Sequence, residues 1–344
     1  ALYAPELGYY TGGAAKLGRD GDFTTAPEMT ALFGATLAGL VQELMALSSP
    51  QIMEFGAGTG KLAFDILTEL KLQGVAVHRY AIVEVSGELR ARQQHMLREF
   101  PQVSWLDQFP PAFSGVVVGN EVLDAMPVNL VVKTAQGWRE RGVGLGPNGF
   151  AYRDLPCEAA LLAQIPHAER LPEGYVTEVH PISIGYMQSL AAMLRAGHAE
   201  SGHGAAAILL DYGFPAHEYY LPQRETGTLM CHYRHHAHDD PFYVPGLQDI
   251  TAHVDFTAMA RAAIEGGLDL LGYTSQAAFL LDAGLGEKLL RISPDDQRRY
   301  LPQANAVQKL TSPAEMGELF KVMMVGTHVI LPERFDRNDR CHRL

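Results

Sequence analysis

The amino-acid sequence predicts a doubly wound α/β fold built on a mostly parallel sheet. Short apolar runs alternate with amphipathic stretches through residues 51–119, the β-α-β order that right-handed crossovers produce. A glycine-rich turn directly follows the first apolar run, at residues 56–60. Two further runs, 115–119 and 204–212, are almost wholly apolar, as strands buried on both faces of a sheet are.

The first part of the chain supplies most of this pattern. The first 25 residues are rich in glycine, tyrosine and threonine, which predicts an ordered loop or flap. Residues 25–28, T-A-P-E, have the form of a capping box with proline just inside a helix. Apolar residues at helical spacing continue to Leu44, and we expect that helix to pack on the sheet. The next elements are predicted as helix 61–72, strand 80–85, helix 87–100, strand 103–106 and strand 115–119.

Beyond residue 127 the pattern changes. Residues 128–150 carry alternating valines and many glycines, which predicts a β-hairpin or meander, and residues 178–196 have helical spacing. We assign both to an insertion. The core then resumes, and an antiparallel last strand is placed at the end of the sheet. Three units are predicted: residues 1–127 are a flap with the first half of the core, residues 128–203 are the inserted β/helical region, and residues 204–344 are the second half of the core. The last unit is predicted to contain strand 204–212, helix 255–267, a helical cap at 275–312 and strand 320–330.

Composition narrows the classes of function. The 344 residues are 47% hydrophobic, enough for a full core. Lysine and arginine total 27 against 39 acidic residues, a formal net charge of −12, so no nucleic-acid partner is expected. Three cysteines without a C-x-x-C pair indicate a reducing compartment, and no apolar run reaches the ~20 residues of a membrane span. The chain starts at Ala1, which is compatible with a removed targeting segment.

The glycine turn is the main candidate for ligand binding. Residues 54–60 read E-F-G-A-G-T-G, and a strand that reverses into a helix against a ligand needs positive φ and no Cβ at Gly56 and Gly58. A phosphate-binding loop would need a glycine in place of Phe55, and a dinucleotide fingerprint would need its third glycine in place of Lys61. The remaining pattern resembles motif I of class I S-adenosylmethionine (SAM) methyltransferases. A plain tight turn is the competing interpretation.

Acidic residues follow the next two predicted strands. Glu84 lies at the carboxyl end of the second strand, where an acid can accept both ribose hydroxyls of a bound nucleoside. A helix-capping or surface acid is the alternative. Asp107 directly follows the third strand, which is where class I methyltransferases usually contact the adenine amino group. A turn aspartate would explain it equally well.

Polar residues after the fourth strand are candidates for the methyl acceptor's side. Asn120, Glu121 and Asp124 should open onto the same crevice as the glycine turn. Two carboxylates there suit a cationic acceptor, because a guanidinium presents a planar fork of donors. The alternative is a helix start capped by Asp124.

Histidines are dense around Cys231, but their spacing does not match a known metal-binding pattern, so no metal site is predicted. We expect a polar, solvated loop near the mouth of the site, with one histidine placed for acid–base or hydrogen-bonding work. His253 is the candidate for that role. The other members are His232, His235, His236 and His238.

Separated segments together resemble one family. They are residues 8–10 (GYY), 21–28 (GDFTTAPE), 54–60 (EFGAGTG), 83–86 (VEVS), 119–128 (GNEVLDAMPV), 211–213 (DYG) and 248–256 (QDITAHVDF). They are similar to the MidA-like family, which includes the mitochondrial complex I assembly-factor arginine methyltransferase and bacterial relatives. The glycine turn is generic, whereas 21–28 and 248–256 are specific.

The resemblance implies a class I, Rossmann-like SAM methyltransferase with S-adenosylhomocysteine as product. It implies a protein partner, an arginine-containing subunit of a respiratory complex I type, and is compatible with a homo-oligomer. The location would be the cytoplasm in a bacterium, or the mitochondrial matrix in a eukaryote after loss of a transit peptide. The implied cofactor-binding residues are Glu54, Gly56, Ala57, Gly58, Gly60, Glu84, Val85, Asp107 and Asn120, and the implied catalytic residues are Asn120, Glu121, Asp124 and His253.

Two other functions stay open at this level. One is a small-molecule or other-side-chain methyltransferase on the same scaffold. The other is a SAM-binding assembly chaperone that turns over little or not at all. The better-known protein arginine methyltransferases carry two glutamates after the fourth strand, and this chain has Glu121 with Asp124.

Overall fold

The structure is a computed structural model that describes residues 1–4, 6–11, 25–234 and 236–344. Within these ranges it contains eleven α-helices and fifteen strands. The helices are α1 (Ala26–Met29), α2 (Ala31–Leu47), α3 (Lys61–Leu72), α4 (Gly87–Met96), α5 (Ala159–Leu162), α6 (Pro181–Ser201), α7 (Ala216–Tyr219), α8 (Phe256–Glu265), α9 (Gln276–Asp282), α10 (Leu285–Leu289) and α11 (Gln297–Thr311). The strands are β1 (Gln51–Phe55), β2 (Arg79–Val83), β3 (Val103–Leu106), β4 (Val116–Asn120), β5 (Asn129–Thr134), β6 (Gly137–Gly146), β7 (Gly149–Pro156), β8 (Val176–Val179), β9 (Ala205–Phe214), β10 (Met230–Tyr233), β11 (His236–His238), β12 (Asp249–Thr251), β13 (Val254–Asp255), β14 (Asp269–Ser275) and β15 (Phe320–Thr327).

A mostly parallel sheet forms the centre of the fold. Its strands lie in the order β14-β15-β9-β4-β1-β2-β3, and β13 pairs in addition with β9. β15 runs antiparallel to both of its neighbours, while the other ladders are parallel. Every residue of β4 is buried, as its valine run predicts. The predicted doubly wound α/β fold is confirmed.

Apolar layers cover both faces of this sheet. One face packs against α2, α3 and the helices α9 to α11, through residues such as Leu40, Ile66 and Leu310. The other face packs against α6 and α8, through Leu190 and Met259. The predicted helices over 275–312 are therefore confirmed, and they pack on the same face as the first helices of the chain.

The predicted capping box at the start of the first helix is wrong. Thr25 makes no capping hydrogen bond, and α1 ends after one turn at Met29. Thr30 is the residue that caps α2, by accepting a hydrogen bond from the backbone N–H of Leu32 at 3.0 Å. Glu28 instead accepts a hydrogen bond from the Thr59 hydroxyl at 2.5 Å, which ties α1 to the glycine turn.

The end of the sheet also differs from the prediction. The last strand is antiparallel as expected, but it lies between β9 and β14 and is not at the edge. Residues 269–275, for which no strand was predicted, form the edge strand β14. Gly272 interrupts its apolar pattern beside a register shift between Leu270 and Gly272, so the run does not have a regular alternation.

The inserted region is built on a four-stranded sheet and also contains the short helix α5. Strands β7, β6, β5 and β8 form an antiparallel sheet in that order, which confirms the predicted meander. Glu178 lies in β8, so the helical prediction begins too early: α6 starts at Pro181, a favourable first helical residue. Because α6 packs on the central sheet, we propose that the inserted unit ends near residue 180 and not at residue 203.

The histidine-rich region forms strands, not the predicted loop. Strands β11, β10 and β12 make a small antiparallel sheet that carries His232, His236 and His238, while His235 lies outside the described residues. At the N-terminus, backbone hydrogen bonds order part of the predicted flap, such as that from Tyr9 to Ala1 at 2.9 Å. Residues 12–24, with the first half of the GDFTTAPE segment, lie outside the described part. No helix in the described chain is long and apolar enough to span a membrane.

Candidate functional site

The strand register brings the predicted site residues to one edge of the central sheet. Phe55 at the end of β1 is paired with Val83 of β2 and Gly119 of β4, and Val83 is paired with Leu106 of β3. The residues that follow these strand ends therefore lie in one row. The row comprises the glycine turn, Glu84, Asp107 and Asn120, at the carboxyl edge where open α/β sheets bind ligands.

The glycine turn has the backbone that the sequence predicted. Gly56, Gly58 and Gly60 have φ angles of 66°, 52° and 87°, in the left-handed region that favours glycine. A Cβ at Gly56 would lie 2.9 Å from Cγ2 of Val122, so the turn also packs against the loop after β4. Gly60 serves as the N-cap of α3.

A cavity of about 440 Å³ lies over this edge of the sheet. Most of the predicted site residues line it, and three do not. Gly60, Asp124 and His253 are not among the described lining residues. Those that line it are Glu54, Gly56, Ala57, Gly58, Glu84, Val85, Asp107, Asn120 and Glu121.

Gln93 organises the cofactor side of the cavity, and the sequence analysis missed it. Its side chain is fully buried on α4 and donates to the Glu84 carboxylate at 3.0 Å and to the Gly58 carbonyl at 2.9 Å. Its amide oxygen accepts from the indole N–H of Trp105 at 2.9 Å. The other Glu84 oxygen accepts from the backbone N–H of Ser86 at 2.8 Å. The backbone N–H of Val85 also donates to this carboxylate. Both oxygens of Glu84 are therefore fixed, and a carboxylate with four lone-pair sites still has capacity for a ligand hydroxyl.

Two other acids on this side are placed differently. Glu54 is buried and accepts a hydrogen bond from the Tyr80 hydroxyl at 2.6 Å, and burial raises the pKa of its carboxyl to about 7. Asp107 is exposed and pairs with the guanidinium of Arg90. Arg90 also donates to the Glu84 carbonyl at 2.9 Å, so it links the ends of β2 and β3.

The loop after β4 is fixed from the neighbouring strand. One oxygen of Asp211, in the second half of β9, accepts from the backbone N–H groups of Val122, Leu123 and Asp124 at 3.1, 2.8 and 3.2 Å. Glu121 has a φ of 53°, so this turn holds a non-glycine residue in the left-handed region. Asp211 therefore positions the acceptor side without lining the cavity.

Glu121 faces the cavity from this turn. Its Oε1 accepts from the Asn120 side-chain amide at 3.0 Å, and the backbone N–H of Ala26 also donates to its carboxylate. Burial and the nearby Asp124 carboxylate raise the pKa of Glu121 to about 8. Without a cationic ligand this side chain is mostly protonated at neutral pH.

Asp124 is not among the described residues that line the cavity, and its carboxylate lies close to that of Glu121. It is buried and hydrogen-bonded to Tyr212, and burial raises the pKa of its carboxyl to about 6. Its Oδ1 and the Oδ1 of Asn120 are buried and have no hydrogen-bond partner among the described residues. Of the two predicted carboxylates, Glu121 therefore faces the cavity, and Asp124 acts on Glu121 through its charge.

Aromatic side chains from the N-terminal segment line this end of the cavity. The rings of Tyr3 and Tyr10 stack with centroids 5.3 Å apart, and both residues line the cavity. The Tyr3 hydroxyl donates to the Ala125 carbonyl at 2.8 Å, and the Tyr10 hydroxyl donates to Oδ1 of the buried Asp249 at 2.8 Å. A wall of tyrosines beside acids suits a cation, which is attracted to both.

His253 is held away from the cavity. Its ring stacks on Phe214 with centroids 5.2 Å apart and meets the edge of Tyr212 at 5.1 Å. Burial lowers the pKa of this imidazole to about 4, so it is neutral at neutral pH. Its predicted catalytic role stays a prediction, and the described geometry gives it a packing role beside Tyr212.

The residues that the sequence analysis missed are Gln93, Asp211, Tyr3 and Tyr10. Residues 8–10 and 211–213 belonged to the segments that carried the family resemblance, but neither pattern shows which atoms these side chains contact. Gln93 lies in a polar helix with no distinguishing spacing. The signal available for Tyr3 was the tyrosine content of the first residues.

Comparison with known proteins gives the class of this protein. The chain matches a family of S-adenosyl-L-methionine-dependent methyltransferases over residues 33–274. It belongs to that family, and with the sheet described above it is a SAM-dependent methyltransferase of the class I, Rossmann-like fold. The predicted family, fold and cofactor are therefore confirmed.

Relatives and solved structures agree with this class. The chain is 30% identical to the rat mitochondrial protein arginine methyltransferase NDUFAF7 over 95% of its own length and 79% of the relative's. It is 28% identical to the human protein of the same name, over 98% and 81%. It also resembles a Burkholderia thailandensis protein crystallised with S-adenosyl-homocysteine, with a TM-score of 0.92 and 53% identity over 100% of this chain and 90% of the other.

Proposed function

We propose that this protein is a SAM-dependent protein arginine N-methyltransferase that binds SAM along the glycine turn and Glu84 and places the acceptor guanidinium beside Glu121. The observation that carries the acceptor assignment is the combination of acids and tyrosines at one end of the cavity. Glu121, Tyr3 and Tyr10 line it, and the charges of Asp124 and Asp249 lie close behind. The names of the mitochondrial relatives support the same acceptor.

The described residues fit the cofactor. Gly56 and Gly58 line the cavity in the left-handed region, so their backbone faces the ligand space without side chains. The amides at the start of α3 suit the carboxylate of the methionine part, since a helix N-terminus attracts anions. Glu84 has free lone pairs for the ribose hydroxyls, while Val85 and Asp107 line the position proposed for the adenine. Glu54, near the end of the strand that leads into the turn, adds a buried carboxyl group to the cavity lining.

Bound SAM supplies an electrophilic methyl group. The new N–C bond forms as the C–S bond breaks, sulfur keeps the electron pair, and S-adenosylhomocysteine leaves. Before transfer, a guanidinium entering the site favours the ionised form of Glu121, which releases its proton to solvent. The carboxylate then orients the guanidinium and accepts the proton that the methylated nitrogen loses. Positioning of the two reactants can contribute about 7–11 kcal/mol to such a step.

The acceptor protein and location follow from the relatives as proposals. Several relatives are named mitochondrial, and the resemblance drawn from the sequence points to a complex I type subunit. We therefore propose an arginine of a respiratory-complex subunit or a similar protein as acceptor, reached in the matrix in a eukaryote or the cytoplasm in a bacterium.

Labelled SAM provides the test. The protein is incubated with labelled SAM and a lysate from cells that lack it, and modified residues are mapped by mass spectrometry. We expect label on arginine in one or few proteins, and at least about a hundredfold slower labelling with Glu121→Gln. Label on small molecules alone, or on another side chain, would overturn the arginine assignment. Retained SAM binding without transfer would favour an assembly chaperone.

A further inference from the structure

A second cavity, of about 940 Å³, adjoins the first. It lies between the N-terminal segment, the start of the inserted sheet and the stretch from residue 241 to residue 252. We call it the apolar groove. Tyr3 and Met126 line both the apolar groove and the cavity described above, so the two spaces meet at these side chains. Anything held in the groove therefore lies next to the entrance to the acceptor side.

Aromatic and aliphatic side chains form one wall of the groove. The register of β6 and β7 pairs Val143 with Tyr152, and both line the groove with Phe150. Phe242 continues the wall, with its ring centroid 4.8 Å from that of Tyr152. Val143 is 60% exposed and Phe150 is 54% exposed. Exposed apolar side chains grouped in this way are typical of interaction surfaces.

The two charged side chains in the groove each have a hydrogen-bond partner within the protein. Two charged residues, Glu140 and Arg141, occur among its described lining residues. Glu140 accepts from the Asn129 side-chain amide at 2.7 Å, and Arg141 donates to Asp154 at 3.1 Å. The groove therefore offers contact area to apolar groups and little to attract a small charged metabolite.

We propose that the apolar groove binds an extended segment of the acceptor polypeptide, with apolar side chains of that segment on Val143, Phe150 and Phe242. This inference rests on the proposed function. An arginine that enters between Tyr3 and Met126 brings its neighbours along the chain to the same entrance, and the groove is the space that adjoins it. The apolar wall would then select the residues that flank the arginine, while the acids of the cavity select the arginine itself.

Fluorescent capped peptides test this inference with the full chain and saturating S-adenosylhomocysteine. One set carries a central arginine flanked by leucine, valine and phenylalanine, a second set carries the same arginine flanked by serine and glycine, and a third replaces the arginine of the first set by glutamine. Affinity is measured by anisotropy for the wild type and for Val143→Asp. Leu155→Asp is the matched control, because Leu155 lies in the same inserted sheet, is 50% exposed and is not among the described residues that line the groove.

We expect the apolar-flanked arginine peptides to bind about tenfold more tightly than the serine and glycine set, and Val143→Asp to remove most of that difference. Leu155→Asp should leave it within about twofold, and neither variant should change affinity for S-adenosylhomocysteine. Equal binding of both arginine sets, failure of the apolar set to bind, or equal loss in both variants would overturn the groove assignment while leaving arginine methylation in place. Equal affinity of the glutamine set, with no methyl transfer to arginine, would retain the groove and remove the proposed function.

Discussion

The two ends of the cavity differ in how completely their polar groups are satisfied. On the cofactor side, the carboxylate of Glu84 accepts from Ser86 and Gln93, and Glu54 accepts from Tyr80. On the acceptor side, the Oδ1 atoms of Asn120 and Asp124 are buried without a partner among the described residues. Buried polar atoms are normally hydrogen-bonded, so such exceptions require an explanation.

This difference indicates that one end of the cavity binds the cofactor and the other end interacts with the acceptor. The cofactor side is held in one geometry by hydrogen bonds within the protein, so we expect it to change little when a ligand binds. On the acceptor side, buried oxygens lack hydrogen-bond donors, and the pKa of Glu121 is raised to about 8. A cation with several N–H donors would supply donors there and would favour the ionised form of Glu121. Variants on the first side should change binding of the cofactor, and variants on the second should change transfer to the acceptor.

The glycine turn should give the largest effect. Gly58 lines the cavity and has a φ of 52°, where a β-branched residue is strongly disfavoured, so a valine there would distort the turn at the ligand space. We expect Gly58→Val to weaken binding of S-adenosylhomocysteine by at least about a hundredfold in calorimetry. Gly74→Val is the control, because Gly74 has a φ of 71° with open space around it and does not line the cavity. Equal affinities in the two variants would show that the ligand lies elsewhere.

Glu121→Gln should separate transfer from cofactor binding. The amide keeps the shape of the side chain but cannot accept the proton, so we expect kcat to fall by about 10²–10⁴. The affinity for S-adenosylhomocysteine should change by less than about threefold. Glu54→Gln, on the opposite side, makes a matched comparison: cofactor affinity should fall while kcat at saturating SAM stays within about tenfold. A reversed pattern would exchange the roles assigned to the two ends.

The pH profile of the acceptor reaction should report Glu121. A raised pKa means that the carboxylate form, which pairs with a guanidinium, is scarce below pH 8. We therefore expect kcat/KM for an arginine acceptor to rise by up to about tenfold per pH unit from pH 6 and to level off near pH 8. Asp124→Asn removes one cause of the raised pKa, so the rise should move to lower pH. An unchanged profile in Asp124→Asn would show that Asp124 does not act through Glu121.

Gln93 should have a smaller effect, confined to the cofactor side. Gln93→Leu removes the hydrogen bonds to Glu84 and to the Gly58 carbonyl, so we expect affinity for S-adenosylhomocysteine to fall about tenfold. The rate at saturating SAM should stay within about twofold. Gln94→Leu, on the exposed face of the same helix, is the control. A loss of rate at saturation would mean that Gln93 also affects the acceptor side.

The same division explains what the sequence could and could not predict. Strands β1 and β3 and helix α3 were predicted within a residue or so, because apolar runs and glycines specify them locally. The cofactor side follows from the same local pattern at strand ends. The acceptor side depends on contacts between distant residues, such as Tyr3 with Ala125 and Asp211 with Leu123, and spacing along one sequence does not encode these. β14 was missed because its pattern is interrupted at Gly272.

His253 should show the smallest effect, although the sequence placed it among the catalytic residues. It does not line the cavity, its pKa of about 4 leaves it neutral at neutral pH, and its ring packs on Phe214 and Tyr212. His253→Phe keeps an aromatic ring in that position, so we expect kcat and kcat/KM to stay within about threefold of the wild type. A loss above a hundredfold with an unchanged melting temperature would restore the catalytic assignment. It would also show that the acceptor side extends from Glu121 through Tyr212 to this imidazole, further than the cavity indicates.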